Sequence, residues 1–197
     1  MKAMILAAGL GTRLRPLTND RPKALVEVGG RTLLEITLAR LRSFGVREVI
    51  VNVHHFADMI VDYLAANHQF GMRIAISREE ILLDTGGGLK KAAYFFLEDS
   101  GGRDSGNGDE PFILHNVDVV STIDLQRMIQ FHREHRALVT LAVQDRQSSR
   151  RLLFDAQGRL CGRRDERKHT TELARPSQDL QALAFAGIHC VVSNRRA

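Results

Sequence analysis

The feature that most constrains this chain is a glycine-rich loop placed directly after its first apolar run. Residues 4–7 form a short apolar run of the kind that makes a buried strand. The chain then passes through Gly9, Gly11 and Arg13 within a few residues. Glycines let backbone amides turn towards an anion, and an arginine on the same loop can form paired bonds to phosphate oxygens. The sequence therefore predicts a phosphate-binding loop at the end of a buried strand.

Short apolar runs alternate with longer amphipathic stretches in the rest of the chain. Thr32 and Glu35 form a capping box that opens a helix ending near Gly45. We expect further helices at residues 56–66, 89–97 and 123–135, and further strands at residues 48–53, 72–76, 112–114, 138–143 and 184–192. Residues 152–155 and 159–162 predict a hairpin, and the polar segment 98–110 predicts a surface loop.

This alternation of strands and helices with short connections predicts the α/β class. We expect a Rossmann-like, doubly wound, mostly parallel sheet with helices on both faces, in a single domain of residues 1–197. Ligands of such sheets bind at the carboxyl ends of the strands, near the point where the strand order reverses. The glycine loop is therefore the first candidate for a functional site.

Composition limits the compartments and binding partners that fit this chain. Cys161 and Cys190 have neither zinc-ligand spacing nor the density of a disulfide scaffold, and this indicates a protein of the reducing cytoplasm. No apolar segment has the length of a membrane span. The formal charge is +5, but aromatic residues make up 6% and Trp is absent. Without a nucleic-acid recognition pattern, phosphorylated small molecules account for the basic residues around Arg13 and Lys23 as well as nucleic acid would.

Two familiar phosphate loops do not fit the sequence. A dinucleotide fingerprint needs a third glycine where Leu14 stands and a helix through Pro16, and a P-loop needs Gly-Lys-Ser/Thr. The longer string Leu-x-x-Gly-x-Gly-Thr-Arg-Leu-x-Pro-Leu-Thr at residues 6–18, followed by Pro-Lys-Ala-Leu at residues 22–25, closely resembles the signature of the sugar-1-phosphate nucleotidyltransferases. The resemblance implies transfer of a nucleoside monophosphate from an NTP to a sugar-1-phosphate, with Mg²⁺ as cofactor.

The resemblance also implies residue roles. Arg13 is expected to contact the β- and γ-phosphates, and Lys23 the α-phosphate and the sugar phosphate, so these two are the catalytic candidates. Residues 83–88 resemble the family segment Leu-x-Thr-Gly-Gly-Gly/Ala, which contacts the base or ribose, and we expect its glycines to precede a helix. The expected nucleotide-binding residues are Leu6, Ala8, Gly9, Gly11, Thr12, Thr85, Gly86 and Gly87.

The metal and sugar candidates lie later in the chain. The string His-Asn-Val-Asp at residues 115–118 resembles the family's Asn-Gly-Asp, whose aspartate binds Mg²⁺, although Val117 replaces the glycine. Asp118 is therefore the metal candidate, because hard cations prefer carboxylate ligands. Asn116 and Gly187 are the sugar-binding candidates; residues 185–189 resemble the family's Gly-Ile strand. We expect an NTP and a sugar-1-phosphate as partners, with no nucleic acid and no membrane; a homo-oligomer is left open.

Two elements of the family pattern are not found in the sequence. These are the Glu-Lys-Pro segment that contacts the sugar and a C-terminal Trp-x-Asp motif with a second metal-binding aspartate. We therefore expect residues 1–197 to form a catalytic domain without its C-terminal segment. A catalytically impaired module that binds a nucleotide or sugar nucleotide is the alternative, and a cytidylyltransferase of a non-sugar phosphate is a further one.

His132 and His135 stand at metal-ligand spacing without a third ligand, and we predict that both lie at the surface.

Overall fold

A computed structural model of the protein describes residues 1–97 and 110–192. The predicted loop at 98–110 therefore lies, apart from its last residue, outside the described residues. Within the α/β domain predicted from the sequence, the chain forms two compact units. The first contains Met1–Thr140 and the chain from His189 onward, and the second is Leu141–Ile188.

The elements of the first unit alternate as the apolar pattern predicts. In chain order they are β1 (Lys2–Leu6), β2 (Glu27–Val28), β3 (Arg31–Thr32), α1 (Leu33–Ser43), β4 (Glu48–Val53), α2 (Ala57–Ala66), β5 (Arg73–Arg78), α3 (Asp84–Lys91), α4 (Ala93–Leu97), β6 (Phe112–Asn116), α5 (Leu125–Glu134) and β7 (Val139–Gln144), the last of which ends in the second unit. Short 3₁₀ turns occupy Thr12–Leu14, Lys23–Leu25 and His68–Gly71. Thr32 is the N-cap of α1, as predicted, because its side chain accepts a hydrogen bond from the Glu35 amide at 3.1 Å, whereas the Glu35 side chain accepts a bond from Arg31 at 2.7 Å.

The sheet of the first unit has the strand order β6-β1-β4-β5, and these pairs are all parallel. The chain builds outward from β1 to β5 and then returns to the other side of β1 with β6. The strand order therefore reverses between β1 and β6. In the register, Leu6 is paired with Asn52 on one side and with Asn116 on the other. The loops after β1 and β6 thus leave the sheet at the same level, at the point where such sheets bind ligands.

The core covers both faces of this sheet. On one face, strand residues cluster with the α3–α4 segment; the cluster contains Met4, Leu6, Ile50, Ala92, Phe95, Phe112 and Leu114. On the other face, Ala3 and Ile5 are also completely buried. Strands buried on both faces read as continuous apolar runs, which is why β1, β4 and β6 could be located from the sequence. The α/β class and the parallel sheet are confirmed.

The second unit is antiparallel. It contains β8 (Arg150–Phe154), β9 (Leu160–Asp165), β10 (Thr170–Leu173) and most of β11 (Gln181–Val191), in the order β10-β9-β8-β11. The predicted hairpin between β8 and β9 is confirmed, and its turn is closed by a bond from the Gly158 amide to the Asp155 carbonyl at 2.9 Å. Strand β10 was not predicted, because its four residues are exposed and lack an apolar alternation.

Two local expectations are wrong. The helix expected at 89–97 begins earlier, at Asp84, and the segment is divided into α3 and α4, so that Gly86, Gly87 and Gly88 lie inside α3 rather than before it. His132 is not at the surface but is only 3% exposed, with Nδ1 placed 3.0 Å from the Thr140 hydroxyl. Across residues 1–97 and 110–192, no helix combines the length and the apolar character needed to cross a membrane.

Candidate active site

The glycine loop after β1 is closed on itself at Gly11. The Gly11 carbonyl accepts bonds from the Leu14 amide at 2.8 Å and from the Thr18 hydroxyl at 2.9 Å. Gly11 has φ 67°, and a Cβ there would lie 3.0 Å from Cγ2 of Thr18. Only glycine meets both conditions without strain. The closed loop leaves Thr12 and Arg13 exposed on the 3₁₀ turn that follows.

Lys23 extends across this loop. Its Cε and Nζ atoms lie 3.4 Å from the position that a Cβ at Gly9 would occupy. Its ammonium group is 3.1 Å from Oδ2 of Asp118, with side chains 16% and 33% exposed respectively. A cation and a carboxylate from distant parts of the sequence therefore meet at the glycine loop, beside the reversal in strand order.

Val117 anchors the segment that carries Asp118. The Val117 amide donates to the Leu6 carbonyl at 3.2 Å, and its carbonyl accepts a bond from the Thr37 hydroxyl at 3.4 Å. The Val117 side chain is buried, and its φ is not among the positive values that favour glycine. Valine therefore fits where the family pattern has glycine, and the Asp118 carboxylate still reaches Lys23.

His115 lies buried in β6, three residues before Asp118. The pKa of His115 is lowered to about 4, chiefly by burial; the bond to the Asn116 backbone and the charge of Asp118 oppose the shift, and the charge of Arg40 adds to it. Nδ1 of His115 donates to the Asn116 carbonyl at 2.8 Å, because a carbonyl can only accept. His115 is therefore a neutral imidazole at neutral pH, which excludes it as a phosphate-binding cation.

A buried polar network joins the end of β1 to the start of α3. The Ala7 amide donates to Oδ1 of Asn52 at 2.8 Å, and Nδ2 of Asn52 donates to Oε1 of Glu79 at 2.7 Å. Oε2 of Glu79 accepts a bond from the Leu83 amide at 3.1 Å. A Cβ at Gly88 would lie 2.7 Å from Oε1 of Glu79 and 2.9 Å from Nδ2 of Asn52.

The predicted site residues fall into distinct places. Those at the ends of β1 and β6 and on the glycine loop lie around the reversal in strand order; they are Leu6, Ala8, Gly9, Gly11, Lys23, Asn116 and Asp118. Thr85, Gly86 and Gly87 lie in the first turn of α3, which the buried network connects to the β1 loop. Gly187 lies in β11, within the second unit.

Sequence reasoning assigned no role to Asn52 and Glu79. The signal for Asn52 is a lone amide within the otherwise apolar end of β4, at Val51–Val53, because a polar residue in a buried strand needs a hydrogen-bonding partner. Glu79 offered no such signal, because it follows β5 in a polar segment and is nevertheless only 5% exposed.

Sequence comparisons relate this chain to several nucleotidyltransferases. N-acetylmuramate alpha-1-phosphate uridylyltransferase of Caulobacter vibrioides is 46% identical over 121 residues, which cover 60% of this chain and 46% of that protein. UTP–glucose-1-phosphate uridylyltransferase of Synechocystis sp. is 35% identical over 152 residues, covering 72% and 36%. A probable mannose-1-phosphate guanylyltransferase of Oryza sativa is 34% identical over 144 residues, covering 73% and 38%. The matches thus span less than half of each relative.

Solved structures share the fold. HddC from Yersinia pseudotuberculosis complexed with GMP-PN superposes with a TM-score of 0.73 at 22% identity, covering 98% of this chain and 76% of that one. A putative glucose-1-phosphate thymidylyltransferase from Bacillus anthracis gives a TM-score of 0.75 at 16% identity, covering 98% and 72%. The profile of the nucleotidyl transferase family matches residues 2–152, most of the chain. This chain therefore belongs to the nucleotidyl transferase family.

Proposed function

We propose that this chain transfers a nucleoside monophosphate from an NTP to a sugar-1-phosphate, giving an NDP-sugar and pyrophosphate. The observation that carries the proposal is the meeting of Lys23 and Asp118 over the glycine loop, with Nζ and Oδ2 3.1 Å apart. A cation for phosphate oxygens and a carboxylate for a divalent cation are the two charges that a metal-bound triphosphate needs. Membership of the nucleotidyl transferase family supports the same reaction.

In the proposed reaction, an oxygen of the sugar phosphate attacks the α-phosphorus of the NTP in line with the leaving group. A new phosphorus–oxygen bond forms as the bond to the β-phosphate breaks, and pyrophosphate leaves. Lys23 neutralises charge on the α-phosphate and the sugar phosphate, and Arg13 holds the departing β- and γ-phosphates. Phosphoryl transfer of this kind depends on positioning and charge neutralisation more than on covalent catalysis.

Asp118 is the residue that would hold Mg²⁺. Magnesium is usually held by one or two carboxylates together with substrate phosphates and water, so one partly exposed carboxylate beside a phosphate loop fits that requirement. When bound, Mg²⁺ supplies positive charge to the phosphate oxygens. Among the described side chains, no group of three or more His, Cys, Asp or Glu could hold a metal. In this proposal, phosphate oxygens of the nucleotide would supply further ligands to the ion.

The remaining predicted residues are assigned either to the nucleotide or to the sugar phosphate. The proposed nucleotide side contains Leu6, Ala8, Gly9, Gly11 and Thr12 from the β1 loop and Thr85, Gly86 and Gly87 from α3. Asn116 is proposed as a sugar-binding residue, and for Gly187, in the second unit, the same role is proposed from the family resemblance alone. The 46% identity to the C. vibrioides protein makes UTP with N-acetylmuramate 1-phosphate the first pair to test. The cytoplasm is the proposed compartment.

Pyrophosphate release tests this proposal directly. The purified protein is incubated with Mg²⁺, each common NTP in turn and a panel of sugar-1-phosphates, and pyrophosphate is measured with an enzyme-coupled assay. We expect release that requires both substrates and stops when EDTA removes the metal. Binding of an NTP without release under any pairing would instead favour the impaired binding module.

A further inference from the structure

We propose that Asn52 and Glu79 are positioning residues that fix the two nucleotide-facing segments, the β1 loop and the start of α3, relative to each other. This inference rests on the proposed function, because it assigns these segments to the nucleotide. Neither side chain needs to touch the substrate. Their role is to hold the Ala7 and Leu83 amides, and hence the segments that carry those amides, in one arrangement.

The orientation of Asn52 follows from its partners. The Ala7 amide can only donate, so the Asn52 atom that faces it must be the carbonyl oxygen Oδ1. This places Nδ2 towards Glu79, where it donates to Oε1 at 2.7 Å. Asn52 therefore accepts a bond from the Ala7 amide, directly after β1, and donates a bond to Glu79, directly after β5. At neutral pH, no other side chain of this size carries a donor and an acceptor on two separate terminal atoms.

Glu79 is held on every side. Its two carboxylate oxygens accept from Asn52 and from the Leu83 amide. Its backbone amide donates to the Val53 carbonyl at 2.8 Å, and its carbonyl lies 2.8 Å from Nδ1 of His54. A side chain that is 5% exposed and accepts two bonds in fixed directions has little freedom to move.

Gly88 brings helix α3 into direct contact with this network. The position of its missing Cβ lies 2.7 Å from Oε1 of Glu79 and 2.9 Å from Nδ2 of Asn52, closer than side-chain atoms pack. Helix α3 therefore packs directly against the two atoms of the Asn52–Glu79 hydrogen bond. Thr85, Gly86 and Gly87 directly precede Gly88 on the same helix, so a displacement of the network moves the proposed base-contacting turn.

This arrangement allows a test that exchanges the amide of residue 52 and the carboxylate of residue 79 by combining Asn52→Asp with Glu79→Gln. In Asn52→Asp, two carboxylates face each other; in Glu79→Gln, any amide orientation leaves one donor facing another donor. In the double variant, Oδ1 of residue 52 still accepts from Ala7, the amide of residue 79 donates to residue 52, and its carbonyl oxygen accepts from Leu83. The exchange thus restores every bond with one donor direction reversed, and it conserves charge.

The measurement is the equilibrium affinity for the NTP that the wild type binds, without sugar phosphate, together with the melting temperature. We expect each single variant to weaken NTP binding by about tenfold or more and the double variant to recover to within about threefold of wild type, because coupled partners are not additive. The loss in Asn52→Asp should also be smaller at acidic pH, because a facing carboxylate pair takes up a proton. Glu80→Gln, at the exposed neighbour of Glu79, is the matched control.

The outcomes separate this inference from the proposed function. A wild type that binds no NTP contradicts the proposed function. Single variants that melt earlier but bind NTP as the wild type does show a structural role alone and overturn the inference. If a single variant fails to fold, a double variant that folds and binds NTP supports the inference, whereas a double variant that folds but does not bind NTP overturns it.

Discussion

At the residue scale, Lys23 illustrates how the glycine loop prepares a charge for a ligand. The side chain lies against Gly9 and Gly11, where any Cβ would come within 3.4 Å of Lys23 atoms. The side chain is only 16% exposed, and the salt bridge between its ammonium group and Asp118 fixes its position further. A lysine held in this way loses little conformational entropy on binding phosphate, which makes its charge effective.

Lys23→Ala should therefore reduce NDP-sugar synthesis by about a hundredfold or more, the scale of losing one preorganised electrostatic contact. The expected loss lies mainly in kcat, because negative charge builds up at the α-phosphate during the reaction. Steady-state pyrophosphate release measures it, with Lys168→Ala as a control at an exposed lysine of the second unit. A Lys23 variant that turns over at the wild-type rate would remove Lys23 from the proposed mechanism.

At the element scale, the sequence located elements with a simple local signal and missed those defined by tertiary contacts. Strand β4 and the capped start of α1 could be predicted because buried apolar runs and Thr-x-x-Glu are local patterns. Strand β10 could not, because its side chains are all exposed, and it is held by backbone pairing to β9 and by the Arg163–Glu172 ion pair, neither of which leaves an apolar pattern in the sequence. The early start of α3 was missed because glycine has a low helix propensity. Here the packing of Gly88 against Glu79 and Asn52 outweighs that low propensity.

The same limit applies to the candidate site. Lys23 and Asp118 could be singled out, because both stand in recognisable motifs next to predicted strands. The pairing of Asn52 with the Ala7 amide could not, because it depends on the parallel register that places Asn52 beside Leu6. Such a register follows from packing of the whole sheet and has no signature in a single strand.

Helix α3 supplies a stability test in which two principles oppose each other. Gly88→Ala gains helix propensity of about 1 kcal/mol, but its methyl group would overlap Glu79 and Asn52, and overpacking a core costs about 1–3 kcal/mol. We expect the clash to prevail and the free energy of unfolding to fall. Gly86→Ala is the matched control on the same helix; nothing lies within 4 Å of its Cβ position, so it should unfold at equal or higher denaturant concentration.

Urea unfolding monitored by circular dichroism measures both glycine variants. A stabilised Gly88→Ala would show that the network yields to a methyl group without loss, and would weaken the case that α3 depends on it. Equal destabilisation by Gly86→Ala would instead point to a general intolerance of this helix to side chains.

At the scale of the whole molecule, stability should depend on pH through buried histidines. The pKa of His115 falls from 6.5 to about 4 on folding, chiefly because burial penalises its charged form, and burial lowers the pKa values of His132 and His189 as well. Between these pH values the unfolded chain binds a proton at His115 that the folded chain does not. The free energy of unfolding therefore rises with pH through this window, and acidification from about 6.5 towards 4 lowers it.

The contribution of His115 to this slope can be isolated with His115→Asn, whose amide can still donate to the Asn116 carbonyl but does not titrate. A shift from 6.5 to about 4 corresponds to about 3 kcal/mol of stability lost by the wild type across the window. We expect the variant to lose less than the wild type by up to that amount when urea unfolding is repeated from neutral pH to pH near 4. Parallel stability curves for the two proteins would contradict the prediction and would mean that His115 takes up its proton within the folded sheet.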